Sequence, residues 1–273
     1  MVKLNKGVLY IATGEKYVAE AIQSAISCRE HNSYPIALIT DSAAHVLPEA
    51  LFDIVIIQRA NFNYKDKLLI RHSPFEQTVF LDTDTYVADK LDDLFKILDY
   101  REFAIHQADE GYEYQMPDVS NAMPEFNTGV IAYKLTSAVK NLIDAWEISF
   151  NTNPQVVTDQ YHLRKTLYDS DVKFAVFSSA YNFIIYYPNF VIQTVKILHG
   201  RPFSALKKVA NDVNAIRHDN AWRRTYFPYN HDFALIYANM LNRDIIKLVK
   251  FNTRAFFANY YRGINKKLFN KKH

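Results

Sequence analysis

Glycine is scarce in this chain. The six glycines among 273 residues (Gly7, Gly14, Gly111, Gly129, Gly200 and Gly263) are never closer than seven positions. That spacing excludes the GxGxxG turn of dinucleotide-binding folds and the GxxxxGK[ST] loop that wraps nucleotide phosphates. Kinases built on glycine-rich loops and nicotinamide dehydrogenases are therefore poor candidates. Cysteine is scarcer still: Cys28 stands alone, which rules out a disulfide framework and any multi-cysteine zinc site and suits a reducing, cytoplasmic compartment. Long apolar runs are missing too. The richest stretch, Phe174–Ile192, is broken by Ser178, Ser179, Asn182 and Pro188, so no segment reads as a membrane span. Met1–Gly7 leads into a run of only about five apolar residues before Thr13 and Gly14, too short for the core of a secretory signal.

What is present describes a globular protein, 49% hydrophobic and 22% charged. The formal net charge of +3 averages two unlike parts. Residues 201–273 hold 15 Lys/Arg against 4 Asp/Glu, whereas residues 1–200 hold 17 against 25. An acidic body with a basic, aromatic tail points to two tasks.

Short apolar runs alternate with helical patterns along the body. Strands are expected at Val8–Ala12, Pro35–Thr40, Asp53–Ile57, Thr78–Leu81, Phe103–His106 and Phe126–Lys134, with others near Phe174, Phe183 and Val195. Helical patterns cover 16–30, 65–72, 89–98, 137–150 and 157–168. Such alternation predicts an α/β domain with a mainly parallel sheet covered by helices on both faces. Ligands of these sheets bind beyond the carboxyl ends of the strands, where Thr13, Asp41 and Asp82 fall. The division expected is a catalytic domain over 1–203 and a basic, aromatic-rich helical extension over 204–273.

The sharpest signal is Val79-Phe80-Leu81-Asp82-Thr83-Asp84-Thr85, an apolar strand that delivers two carboxylates, two residues apart, to the ligand edge of the sheet. Carboxylates this close repel unless a cation lies between them. Mg²⁺ and Mn²⁺ take oxygen ligands and commonly bridge a carboxylate to a substrate diphosphate, such as that of a nucleotide sugar. The same local pattern serves haloacid-dehalogenase-like phosphatases, in which the first aspartate is the nucleophile. That alternative would make Asp82 the nucleophile, but about 80 residues precede it and the one loose match to a later acidic motif is Asp169-Ser170-Asp171. A nucleotide-sugar-binding protein without catalysis is the third reading.

Six segments stand in one order: Val8–Tyr17, Lys67-Leu68, Asp82/Asp84, Phe126-Asn127-Thr128-Gly129-Val130, Asp159-Gln160 and Leu198-His199-Gly200-Arg201-Pro202. In this order and spacing the chain resembles the family 8 glycosyltransferases, the glycogenin-like and lipopolysaccharide galactosyltransferase-like group, over roughly residues 7–203. The resemblance implies a GT-A, Rossmann-like nucleotide-diphospho-sugar-transferase domain. It implies transfer of a hexose from a nucleoside-diphosphate sugar, a UDP-sugar first, to a glycan or glycolipid acceptor with retention of configuration. It also implies roles. Thr13 and Tyr17 would meet the nucleoside, the tyrosine ring stacking on the base, and Lys67 would reach the donor. Asp82, Asp84 and His199 would hold Mn²⁺ or Mg²⁺, with Asp84 also near the ribose. Asn127 would contact the sugar, Asp159 and Gln160 would line the reacting face, and Asp109 stands where the family has an acidic residue near donor or acceptor. The family usually closes its donor site with His-x-x-Gly-x-x-Lys-Pro-Trp, whereas this chain reads His199-Gly200-Arg201-Pro202-Phe203. The loop is shorter and arginine replaces lysine, yet arginine pairs with a diphosphate bidentately and Gly200 lets backbone approach a ligand closely.

Each of these residues also has a plain structural explanation: His199 as a hydrogen-bonded core group, Tyr17 as packing, Lys67 as a solvated helix residue, Asn127 as a turn residue, Asp159 and Gln160 as helix caps, and Asp109 as a solvated loop acid. In the basic tail, Phe233, Ile236, Met240, Ile245 and Leu248 fit one helical face over 232–250. Beyond it, aromatics alternate with Arg254, Arg262, Lys266, Lys267, Lys271 and Lys272. Such a segment suits the anionic surface of a membrane, each close cation contributing about 1 kcal/mol. The expectation is a cytoplasmic protein, peripheral on a membrane's inner face, with a lipid-linked acceptor. A helix packed on the domain or between copies of the chain is the nearest alternative, and nucleic acid ranks last.

Overall fold

The computed structural model describes residues 4–108, 115–214, 224–229 and 232–237. In chain order the elements are β1 (Leu4–Ala12), α1 (Glu15–His31), β2 (Ile36–Thr40), β3 (Ile54–Ile57), a 3₁₀ segment at Tyr64–His72, β4 (Phe75–Leu81), β5 (Thr85–Val87), α2 (Asp92–Leu98), β6 (Phe103–Gln107) and β7 (Phe126–Lys134). There follow α3 (Ser137–Thr152), α4 (Asp159–Tyr168), β8 (Phe174–Val176), β9 (Phe183–Ile184), β10 (Asn189–Val191), β11 (Ile197–His199), α5 (Phe203–Asn214), β12 (Arg224–Tyr229) and β13 (Asp232–Tyr237).

Seven strands form the central sheet in the order β3-β2-β1-β4-β7-β6-β8, with β7 alone antiparallel to its neighbours. The sheet is covered on both faces, and β1 shows how sequence arranges this. Val8, Tyr10 and Ala12 point to one core while Leu9 points to the other, the period of two that a pleated strand imposes. On the first face α1 buries Val18, Ala21, Ala25 and Cys28, spaced three and four apart as one helical stripe. On the second face α3 does the same with Val139, Leu142, Ile143, Trp146 and Phe150. Thr136 caps α3 by accepting from the Val139 N–H at 3.3 Å.

Three features of this topology carry chain to the ligand edge. First, β1 and β4 are parallel neighbours, so Thr13 and Asp82 emerge side by side. Second, because β7 runs the other way, its beginning rather than its end lies there; Leu81 pairs with Val130, and the Asp82 N–H donates to the Gly129 carbonyl at 2.8 Å. Third, β5 and β11 pair antiparallel in a small sheet of order β5-β11-β9, with His199 opposite Thr85. A third core lies behind that sheet, where Tyr86, Phe183, Ile185 and Leu198 meet Leu206, Val209 and Val213 of α5 and Tyr226 of β12.

One expectation fails outright. The helical face drawn over 232–250 includes Phe233 and Ile236, but Asp232–Tyr237 is a strand, paired antiparallel with β12 from Arg224↔Tyr237 to Tyr229↔Asp232. The aromatic and β-branched residues in this stretch suit a strand as well as a helix, and a partner strand just upstream decides the matter. Positions 238–273, including the rest of that face and all the basic residues beyond it, lie outside the described residues. Among the described residues no helix is long and apolar enough to cross a membrane.

Candidate active site

A pocket of about 590 Å³ opens at the strand ends described above, and it collects Thr13, Tyr17, Lys67, Asp82, Asp84, Asn127, Asp159, Gln160, His199 and Arg201 in its wall. Asp109 lies outside the described residues. Gly200 does not line this pocket: its N–H donates to the Asp84 carbonyl at 2.9 Å, and it faces a smaller pocket on the other side of Arg201. Its φ of +139°, with Ile185 only 2.7 Å from where a Cβ would stand, is what requires glycine there.

Asp82, Asp84 and His199 can each turn one ligand atom to within 4.8 Å of the others. The histidine approaches through Nε2, 3.3 Å from Asp84 Oδ1 and 4.0 Å from Asp82 Oδ2. Its other nitrogen is occupied: Nδ1–H donates to Asn182 Oδ1 at 3.0 Å, which leaves Nε2 to face the carboxylates. Asn182, fully buried, is in turn oriented by donating its amide to Asn127 Oδ1 at 2.8 Å, and that oxygen also accepts the Gly129 N–H at 3.0 Å. Asn127 thus supports the histidine with its oxygen and has only its amide nitrogen left for a ligand. Gly129 makes room for the ring, because a Cβ there would stand 2.1 Å from His199 Cε1.

Lys67 is partly buried between Asp82 (3.0 Å) and Asp159 (3.1 Å), and it also donates to the Thr128 hydroxyl at 2.8 Å. Thr128 in turn donates its hydroxyl to Asp159 Oδ2. The carboxylate of Asp159 is therefore turned into the pocket floor instead of capping α4, which Thr158 precedes without a side-chain cap. Its backbone carbonyl accepts from Trp146 Nε1 at 3.1 Å, which holds the start of α4 against α3. Gln160, the next residue, has a buried Oε1 with no hydrogen-bond partner among the described residues.

The charges do not balance within the protein. Four carboxylates, those of Glu20, Asp82, Asp84 and Asp159, share two permanent cations, Lys67 and Arg201. Burial and then the neighbouring Asp84 raise the Asp82 pKa against the pull of Lys67. Burial also works against Asp84, but His199 and Arg201 outweigh it and hold that carboxyl below the usual range. His199 is raised in turn, since Asp84 and Asp82 overcome its desolvation. A surplus of carboxylate with a histidine nitrogen presented among them fits a divalent cation.

Two binding candidates are occupied by protein contacts. The Thr13 hydroxyl donates to Asp66 at 2.9 Å, and Asp66, itself buried, also accepts the N–H groups of Asn61 (2.6 Å) and Phe62 (2.9 Å), which shapes the loop before Lys67. Asp41, at the end of β2, receives the Gly14 N–H at 2.8 Å and fixes the turn into α1. Tyr17 is 43% exposed at the pocket mouth, its ring flanked by Lys16 Nζ at 5.2 Å and the Arg201 guanidinium at 6.0 Å. Asp169 and Asp171, needed by the phosphohydrolase alternative, lie past the far end of α4, about 15 Å from Asp159 at 1.5 Å per residue, with Asp169 paired to Lys165. They cannot join Asp82.

Three residues of the site have no motif of their own. Thr128 sits inside the Asn-Thr-Gly segment but carries no distinguishing sign. Asn182 lies in an apolar run, where a lone amide invites the question of its partner. Glu20 follows Tyr17 by three positions on one face of α1, a spacing that brings both to the same edge.

No family model and no curated protein matches the chain. Solved structures do. The galactosyltransferase LgtC, in complex with donor and acceptor sugar analogues, matches with a TM-score of 0.57 at 13% identity, over 78% of this chain and 98% of its own. The glycosyltransferase GlyE of Streptococcus pneumoniae TIGR4 matches with a TM-score of 0.54 at 16% identity, over 78% of this chain and 62% of its own. Mouse xyloside xylosyltransferase 1 matches with a TM-score of 0.50 at 13% identity, over 72% of this chain and 98% of its own. The chain has the GT-A glycosyltransferase fold, as the family 8 resemblance implied.

Proposed function

We propose that the protein is a divalent-metal-dependent glycosyltransferase that moves a hexose from a nucleoside-diphosphate sugar to a glycan or lipid-linked acceptor with retention of configuration. The observation that carries this reading is the meeting of Asp82, Asp84 and His199 Nε2 in the wall of a large pocket at the strand ends of a GT-A fold. Asp82, Asp84 and His199 would hold Mn²⁺ or Mg²⁺, whose charge offsets the negative charge that builds on a departing diphosphate.

The remaining chemistry belongs to the chain's own groups. Arg201, with Nη1 2.8 Å from Asp84 Oδ2, stands where it can pair with a diphosphate oxygen and stabilise the leaving group. Tyr17 offers an exposed ring for the base. Asp159, clamped by Lys67 and Thr128, is held too firmly to swing onto an anomeric carbon and orients Lys67 against Asp82. Gln160, in the pocket wall, has an amide that can turn toward a sugar hydroxyl or toward the positive charge that develops as the glycosidic bond breaks. A poor nucleophile suits a front-face route, in which the leaving phosphate helps to deprotonate the acceptor. LgtC is described as a galactosyltransferase, which favours a galactose donor; on the family 8 resemblance, UDP-galactose and UDP-glucose lead the list of donors.

The decisive experiment is a panel of nucleotide sugars with Mn²⁺, read as slow hydrolysis without acceptor. Release of nucleoside diphosphate from one donor, abolished by chelator, is the expected result; phosphate release from a generic ester through Asp82 would replace the reading with a phosphohydrolase. A lipid-linked acceptor rests on the basic stretch of the sequence alone. Salt-sensitive flotation with anionic liposomes supports it, and absence of binding removes it.

A further inference from the structure

We propose that Glu20 is a positioning residue for Arg201, which aims one edge of the guanidinium at the diphosphate of the donor. The inference rests on the nucleotide-sugar reading above, which does not itself involve Glu20.

Glu20 stands on α1, one turn beyond Tyr17, and is absent from the wall of the main pocket. It lines the smaller pocket of about 390 Å³ on the other side of Arg201, and the two pockets share Thr83, Asp84 and Arg201. Its carboxylate meets the guanidinium fork to fork: Arg201 Nε donates to Oε1 at 2.9 Å and Nη2 to Oε2 at 2.8 Å. Thr83, between the two aspartates, donates its hydroxyl to Oε2 at 2.9 Å. One side chain thus ties α1, the Asp82–Asp84 loop and the loop after β11 together.

The geometry of arginine makes this an aiming device. The guanidinium is planar and its five N–H groups diverge in fixed directions. Glu20 occupies the Nε–Nη2 edge, so Nη1 is left on the opposite side, where it reaches Asp84 Oδ2 at 2.8 Å. A ligand anion that takes Nη1 does not need the nitrogens that Glu20 holds. The backbone near Arg201 is anchored as well, since Gly200 N–H donates to the Asp84 carbonyl and Arg201 N–H to the Tyr186 hydroxyl. The side chain itself is 43% exposed, and without Glu20, among the described residues, the Asp84 contact and the Tyr17 ring would be left to restrain its long stem. A shortened loop carrying arginine in place of lysine has in Glu20 the partner that fixes the direction of the fork.

The test is calorimetric, on the full chain with saturating Mn²⁺, using UDP and GDP as probes and following whichever binds more tightly. Glu20→Gln keeps the shape but sets an amide N–H₂ against the guanidinium or the Thr83 hydroxyl, and it should weaken the nucleotide about fivefold, as expected for a partly exposed bidentate pair. Arg201→Ala should weaken it at least as much, and the double variant should be no weaker than Arg201→Ala alone. With the true donor, Glu20→Gln should raise KM while largely keeping kcat, and binding of Mn²⁺ alone should stay within twofold. Wild-type affinity in Glu20→Gln overturns the inference; tighter binding does so too, because Glu20 would then compete with the diphosphate. An equal loss in the Arg201→Ala background also overturns it, since Glu20 would not act through Arg201. If Arg201→Ala weakens the nucleotide and Glu20→Gln does not, the site reading stands and only this inference falls. If the protein takes Mn²⁺ but neither nucleotide, both fall together.

Discussion

Gly129→Ala tests whether the histidine of the site is held where it is by the absence of a side chain. The backbone at Gly129 does not lie in the left-handed region, so alanine meets no conformational penalty and the effect is steric. The added Cβ would stand 2.1 Å from His199 Cε1 and 2.5 Å from Nδ1. The imidazole cannot yield cheaply, because β11 is paired on both sides and Nδ1–H is bonded to Asn182. Overpacking of this kind costs about 1–3 kcal/mol. Turning the ring away also strips the buried Asn182 oxygen of its donor, a further penalty of about 1–3 kcal/mol. The loss of folding stability should therefore be about 3 kcal/mol, measured by urea denaturation. The same substitution in a His199→Ala background should cost only about 1 kcal/mol, since the ring clash has gone, Asn182 is already unpartnered, and only the 3.0 Å approach of the new Cβ to Asn127 Oδ1 remains. Because the ring has moved, any stabilisation that Mn²⁺ gives the wild-type protein, as the proposed metal site requires, should also disappear in the single variant. An equal cost of Gly129→Ala in both backgrounds would refute the steric account.

Asp84→Asn should abolish the Mn²⁺-dependent rise in Tm, which amounts to about 2.7 kcal/mol of stability when the ion is at a hundred times its Kd; an undiminished shift in scanning fluorimetry would place the ion elsewhere. Lys67→Met removes the cation between Asp82 and Asp159 and should destabilise by about 3 kcal/mol, as for other buried pairs broken on one side. Adding Asp159→Asn should recover part of that loss in urea titrations, and no recovery would show that the two carboxylates do not confront each other. His106, buried and stacked on Phe177, has its pKa depressed to about 4 by burial and then by His199. Below pH 6.5 the unfolded chain binds a proton that the folded one refuses, so this residue makes stability fall as pH drops from about 6.5 toward 4, by up to about 3 kcal/mol. His199, whose pKa is raised, contributes in the opposite sense and loses its contribution as pH rises. His106→Phe should flatten the slope between pH 6.5 and 4, and an unchanged slope would contradict the depressed value.

Local pattern and tertiary context contributed differently to what could be read. Where periodicity was long and unbroken it specified the element closely: Phe126–Lys134 is a strand over the span expected, and α1 and α3 fall within two residues of their apolar stripes. Of the elements that escaped, β5 and β10 with three residues each are too short for any period to show, while β12, six residues long, lies in the stretch expected to be helical and is a strand through its pairing with β10 and β13. For 232–237 the local residues were compatible with both periods, and pairing with β12 made the choice.

The chain's own order of residues determined the class of domain, the two carboxylates at the end of β4 and the glycine poverty that bars a phosphate-wrapping loop. A metal and cationic side chains would have to do that work instead, and the fold decided which residues stand together. His199 follows Asp84 by more than a hundred positions, and the antiparallel register of β5 with β11 sets it opposite Thr85. Asn127-Thr128-Gly129 reaches the same edge because β7 alone runs against the sheet, and Lys67 ends between Asp82 and Asp159, which come from different elements. Contacts such as Asn182 on His199 and Glu20 on Arg201 join residues 17 and 181 positions apart. Local propensity reports the conformation of a segment; which segments become neighbours is decided by strand order, register and the burial of both sheet faces at once.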